Sequence, residues 1–197
     1  MIIVSKATGP VYKVALKRRR SNLTNYVKRL ALVKGMVPRM VVRKSGRGVL
    51  VQFLAFTPKG DTVIAAVKSA NLTKQGWFPH CNAPTAYLSG LLAGKLALKK
   101  GVKEFNLDIG MQTPSKGSVV FAALQGAIDA GLSTNYTEKM IDDERISGAA
   151  IAAYAKTLRA SDAAKYNKVF SAYIKQNFSP ENIVDAFKAA KSKIQSQ

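Results

Sequence analysis

Few side chains in this sequence could perform covalent chemistry, and their spacing does not favour it. Cys81 directly follows His80, and they are the chain's single cysteine and single histidine. A thiol beside an imidazole suggests nucleophile and base, but sequence neighbours seldom point together productively, and no third group stands ready to orient the ring. Metal-assisted phosphoryl chemistry needs clustered carboxylates, yet residues 1–103 contain one acid, Asp61, in the turn-like segment Pro58-Lys59-Gly60-Asp61. Asp108 is the best-placed acid, in a strand-like segment, with no evident partner on a neighbouring strand. Its plain reading is a strand-end acid satisfied by a loop amide or an N–H group. Gly110–Gly117 lacks the glycine spacing and the following Lys-Ser/Thr of a phosphate-cradling loop. One cysteine excludes an internal disulfide and any cysteine-based zinc site. The expectation is a binder with no metal and no cofactor, not an enzyme.

The charge distribution says what is bound. Of 31 basic residues, 19 fall in residues 1–100 beside the single acid Asp61, whereas the rest of the chain carries 12 basic and 10 acidic side chains. Almost all of the net +20 therefore sits in one half. A folded domain with so lopsided a field repels itself and attracts a polyanion. Nucleic acid fits, because each phosphate neutralised by Lys or Arg releases counterions. Lys17-Arg18-Arg19-Arg20 reads as a clamp on adjacent phosphates. Arg39 and Arg43 share one face of a strand, about 13 Å apart, a span that reaches phosphates two apart, with Val41 between them. Lys44 and Arg47 flank a glycine turn, and Lys28 and Arg29 follow the clamp on a helix. Tyr26 and Trp77 are either stacking platforms for unpaired bases or core aromatics. Gln52 interrupts an apolar run and is either a partnered structural amide or a residue facing the ligand.

These residues need elements to hold them. Residues 1–20 show no clear periodicity and read as an extended basic arm. Ser21 is placed to cap a helix in which Leu23, Tyr26, Val27 and Leu30 recur at helical spacing, with Gly35 as the stop. Pro38–Lys44, Val49–Phe56 and Thr62–Val67, separated by turn chemistry, form a three-stranded antiparallel meander. Asn82 caps a helix with Pro84 in its first turn and Gly101 beyond its end. Its Ala86, Gly90 and Gly94 recur every four residues, which suits close packing against a sheet. Glu104–Ile109 reads as a fourth strand, and Val120–Ile128 as a helix stopped by Gly131. Three more helices are expected after Thr134: one opened by Asp142, Asp143 and Glu144, one capped by Ser161, and one starting at Ser179-Pro180. No apolar run approaches a membrane span, and Met1–Gly9 is too short for the apolar core of a signal peptide, so a soluble cytoplasmic protein is expected. With 47% hydrophobic residues the chain can bury a core.

Several segments, in this order, resemble one family. They are Arg18-Arg19-Arg20-Ser21 with Thr24-Asn25-Tyr26 and Arg29-Leu30, then Pro38-Arg39-Met40-Val41-Val42-Arg43. Tyr87-Leu88-Ser89-Gly90-Leu91-Leu92, Leu107-Asp108-Ile109-Gly110 and Gly117-Ser118-Val119-Val120-Phe121 follow, running into Gly126–Leu132. The pattern is similar to the 5S rRNA-binding proteins of the large ribosomal subunit, universal family eighteen, in their archaeal and eukaryotic form. Arg145, Gly148-Ala149 and Tyr154 resemble the archaeal C-terminal extension. After Leu132 the family pattern commonly continues with Pro-His, where this chain has Ser133-Thr134-Asn135-Tyr136. The resemblance implies an α/β fold: a three-layer ribonuclease H-like domain with a mixed sheet and no nuclease activity. The domains would be a basic N-terminal arm (1–20), an rRNA-binding domain (21–133) and a helical C-terminal extension (134–197). It also implies a structural constituent of the large subunit that anchors 5S rRNA in the central protuberance. Large-subunit rRNA and neighbouring ribosomal proteins would be further partners. Lys17–Arg20, Tyr26, Lys28, Arg29, Arg39, Arg43, Lys44 and Arg47 would contact RNA, the same residues the charge pattern gives. Two rivals remain: a DNA-compacting architectural protein, opposed by the lack of a helix-turn-helix pattern, and a metal-dependent nuclease on the same strand–helix order.

Overall fold

The computed structural model describes residues 9–136 and 138–196; the first part of the expected arm, residues 1–8, lies outside them. A mixed four-stranded sheet organises the front half. Strands β1 (Arg39–Lys44), β2 (Val49–Thr57) and β3 (Gly60–Lys68) form the expected antiparallel meander, and β4 (Asn106–Asp108) joins β1 in parallel to give the order β3-β2-β1-β4. The first turn closes where Ser45 N–H donates to Gly48 O at 2.8 Å. Alternation sends Met40, Val42, Val51, Phe53 and Val67 into a fully dry interior, as a one-face-buried sheet requires. Strand β4 is shorter than Glu104–Ile109, because Glu104 bridges to Ser133 instead, while Gly110 at φ 65° turns the chain away past Asp108.

Helices α3 (Ala83–Lys99) and α4 (Val119–Asp129) cover that apolar face, α3 over β2 and β3 and α4 over β1. Asn82 caps α3 as expected, its Oδ1 accepting from Thr85 N–H at 3.1 Å. The glycine stripe does something other than expected. A Cβ on Gly90 would lie 2.0 Å from the Ala123 carbonyl oxygen, and one on Gly126 2.1 Å from that of Tyr87. The small residues therefore bring α3 against α4, not against the sheet, since only bare backbone allows helices so near.

The remaining helices extend the same core. They are α5 (Asp143–Ser147), α6 (Ala149–Ser161), α7 (Ala163–Val169), α8 (Ser171–Ile174) and α9 (Ile183–Gln195), the last entered through a 3-10 turn at Pro180–Asn182. Gly148 at φ 84° splits the first expected helix into α5 and α6. Asp162, not Ser161, caps the next, accepting from Lys165 N–H at 2.9 Å, and that helix breaks at Phe170. Helix α9 lies on α3: Phe187 meets Trp77 and Tyr87 with ring centroids 6.2 and 5.5 Å away, and Lys95 Nζ–H donates to the Ile194 carbonyl at 2.8 Å. Trp77 is thus core, 2% exposed, its indole N–H donating to Thr85 Oγ1 at 2.9 Å, and is no stacking platform. Tyr173 accepts from Asn82 Nδ2 at 3.0 Å, and burial pushes its phenol up to about 12.

The other sheet face is where the sequence reading needs most correction. Lys17–Arg20 is one helical turn, α1, not extended chain, and α2 (Tyr26–Lys34) is capped by Asn25, not Ser21. The stripe expected to be core points outward, with Leu23 62%, Val27 80% and Leu30 57% exposed. Helix α2 instead turns half-buried Tyr26, Arg29, Leu32 and Val33 inward. The reason is the partner surface: the sheet offers charged groups there, so an arginine docks where an apolar stripe could not. Among the described residues no helix is long and apolar enough to cross a membrane.

The α3–α4 contact makes a direct prediction. Gly126→Ala should lower the unfolding free energy by about 2 kcal/mol, read by urea denaturation. Gly46→Ala, whose added Cβ meets nothing within 4 Å, should change it by less than about 0.5 kcal/mol.

Candidate nucleic-acid interface

Two carboxylates organise the front face. The parallel register sets Asp108 opposite Val41, so Arg39 and Arg43, two positions to either side on β1, flank it on the same face. Asp108 Oδ2 accepts from Arg39 NH1 at 3.0 Å and Oδ1 from Arg43 NH2 at 3.0 Å; the Arg43 NH1 also donates to the Asp108 carbonyl at 2.7 Å. Asp61, within β3 and not in a turn, takes Arg39 NH2 at 2.7 Å and Arg29 NH2 at 2.9 Å on one oxygen. The result is a continuous chain Arg29–Asp61–Arg39–Asp108–Arg43 tying α2, β3, β1 and β4 together. Asp108, expected to lack a partner on a neighbouring strand, has two.

Arg39 is placed unlike the other expected site residues. It is 2% exposed, with both terminal nitrogens on carboxylates. A guanidinium beneath α2 cannot reach a phosphate without dismantling the chain of ion pairs. Its position makes it a positioning residue, because a buried charge that loses its partners costs several kcal/mol.

The other expected residues separate into groups. Arg18, Lys28, Arg29 and Arg43 line one cleft of about 420 Å³ between the α1–α2 segment and the ends of β1 and β4. Arg18 is braced there, its Nε–H donating to Thr24 Oγ1 at 2.8 Å. Half-buried Tyr26 and exposed Arg19 line the adjoining hollow with Met111. Lys17 and Arg20 are exposed on α1 outside both. Lys44 and Arg47 are exposed on the β1–β2 hairpin, and Gln52 is half-buried on the front face, paired in register with Val41. Sequence reasoning missed the Leu107–Gly110 turn as a cleft wall and both aspartates as its organisers. Identical parity of Arg39, Val41, Arg43 and Asp108 was the available signal, but it becomes informative only once the parallel register is known.

The groups weighed for catalysis are placed as structure. The His80 ring packs against Phe78 and Tyr173, with centroids at 4.7 and 4.4 Å; burial lowers its pKa below the ordinary value. Among the described residues, no group of three His, Cys, Asp or Glu side chains could hold a metal ion.

Comparison with known proteins gives two sequence matches. A family described as ribosomal large subunit proteins 60S L5 and 50S L18 matches residues 11–106, which include α1, α2, the meander, α3 and the first residue of β4. The large ribosomal subunit protein uL18 of Saccharolobus solfataricus is 44% identical over 192 residues, 96% of each chain. Likeness of that extent shows that this chain belongs to the uL18 family, structural RNA-binding proteins of the large ribosomal subunit and not enzymes.

Proposed function

We propose that the protein binds 5S rRNA through the α1–α2 and β1–β4 face and anchors it in the central protuberance of the large subunit. Large-subunit rRNA and neighbouring ribosomal proteins would meet its other surfaces. The observation that carries this reading is convergence: Arg18, Lys28, Arg29 and Arg43, from α1, α2 and β1, meet in one cleft. The ribonuclease H-like topology belongs to the same reading, supported by the mixed sheet with helices on both sides.

The mechanism divides affinity from register. Exposed Lys17, Arg19 and Arg20 on a helical turn with no buried residue supply sequence-independent attraction to phosphates. Arg43 supplies register, because two of its nitrogens are already fixed on Asp108 and the Val42 carbonyl. A side chain oriented before binding loses less conformational entropy on contact. Lys44, Arg47 and Tyr26 extend the surface to either side.

The proposal has three measurable consequences. If roughly eight cations meet phosphates, log K for 5S rRNA should fall against log salt with a slope of about −6; filter binding across a salt series giving a slope near −1 would refute it. Arg43→Ala should weaken 5S rRNA binding more than binding to a random duplex of equal length. Equal losses would reduce the site to an electrostatic patch. Arg39→Met should lower the unfolding free energy by about 3 kcal/mol, whereas Arg18→Gln should leave stability within about 0.5 kcal/mol and weaken RNA binding. The paired denaturation and binding measurements distinguish a positioning arginine from a contacting one.

A further inference from the structure

The cleft holds more specific information than its charge. Strands β1 and β4 lie side by side in parallel, with β2 on the opposite flank of β1. The carboxyl ends of the parallel pair, at Arg43 and Asp108, open into the cleft. In open α/β sheets the crevice beyond the carboxyl ends, where strand order reverses, is the place that takes a ligand.

Its wall chemistry is one-sided. Both Asp108 oxygens are occupied, Oδ1 by Arg43 and by Gly110 N–H at 2.8 Å, Oδ2 by Arg39. Asn25 Oδ1 accepts from Val27 and Lys28 N–H at 3.1 Å each, and Thr24 Oγ1 accepts from Arg18. The side-chain acceptors are thus in use, while Arg18 and Lys28 form no ion pair among the described residues. What such a wall leaves room for is a ligand rich in acceptors. Leu23, Leu32 and Ile109 give the same cleft apolar surface, and its 420 Å³ falls in the range of small-ligand pockets, about 300–1,000 Å³.

We propose that this cleft takes one unstacked nucleotide of the bound RNA bearing guanine or uracil, the bases with a carbonyl at C6 or C4. Its ring would lie on Leu23, Leu32 and Ile109, and its carbonyl edge would face the Arg18 and Lys28 donors. On the edge that carries the C6 or C4 substituent, guanine O6 and N7 or uracil O4 present acceptors to those donors, whereas adenine N6 and cytosine N4 are amino groups there and would set donors against donors. Splayed-out bases are the usual carriers of sequence-specific RNA recognition. The inference rests on the reading that the RNA is 5S rRNA.

The test uses the full chain with 5S rRNA. Ala31 lines the cleft and is exposed on α2, so Ala31→Leu fills the space without entering the core. Base-specific probing of all four bases is compared for wild type, Ala31→Leu and Lys28→Gln, alongside titrations with 5S rRNA and a random duplex. The expected result is one unpaired guanine or uracil shielded by wild type and reactive again with both variants. Ala31→Leu should also lose about ten-fold in 5S affinity, within the range of one stacked base, with duplex affinity unchanged. Retained shielding in both variants, shielding of an adenine or cytosine instead, or unchanged 5S affinity of Ala31→Leu overturns the cleft proposal alone. A wild-type protein that does not prefer 5S rRNA over the duplex overturns the reading beneath it as well.

Discussion

Asp61 and Asp108 hold one buried guanidinium, that of Arg39, between them, and each holds a second arginine at the surface. The geometry of the front half follows from this arrangement. Residues 1–100 contribute 19 basic groups and a single acid, so a compact fold there works against its own repulsion. Placing the two carboxylates among three arginines converts the most crowded part of that repulsion into hydrogen-bonded pairs. It also ties α2 to the sheet through β1, β3 and β4. Helix α2 has no fully buried residue, and Arg29 on Asp61 is its main polar attachment to the sheet.

The same arrangement explains how a surface can be strongly cationic and still specific. A set of solvated lysines attracts any polyanion, with an energy set by salt. Arg43 differs because its side chain is 41% exposed yet bonded to Asp108 and to two backbone carbonyls. It presents charge at a fixed place, and Arg18 does so through Thr24. On the proposed reading, such fixed donors beside solvated ones would capture RNA broadly and seat it in one register.

The sequence was legible where structure is local. The meander, the Asn82 cap and the helix from Val119 follow from alternation, turn residues and capping, all properties of short windows. Errors arose where a distant partner decides. Leu23, Val27 and Leu30 have the spacing of a core stripe, but they point outward and Arg29 turns to Asp61 on the sheet instead. Gly90 and Gly94 signal close approach correctly, while only the fold shows that α4 is the neighbour. Arg39 and Arg43 look equivalent on one strand face, yet one sits under α2 and the other at its edge. Burial of the former depends on Asp61 and Asp108, which lie 22 and 69 residues away along the chain.

The charge-balanced half contributes through packing. Phe187 of α9 contacts both Trp77 and Tyr87, and the Tyr87 hydroxyl donates to Asp129 of α4 at 2.5 Å, with Lys191 above its ring. Helices α3, α4 and α9 therefore share one aromatic junction behind the sheet. Of the ten acids in this half Asp108 alone lines the cleft, both its oxygens held by Arg39, Arg43 and Gly110 N–H, while the others, including Asp142, Asp143 and Glu144 at the start of α5, stay out of it. The positive field of the front is consequently left intact, while its strands gain a firm apolar backing. A cationic face needs such backing, because strands that repel one another on one side must be held by what they bury on the other.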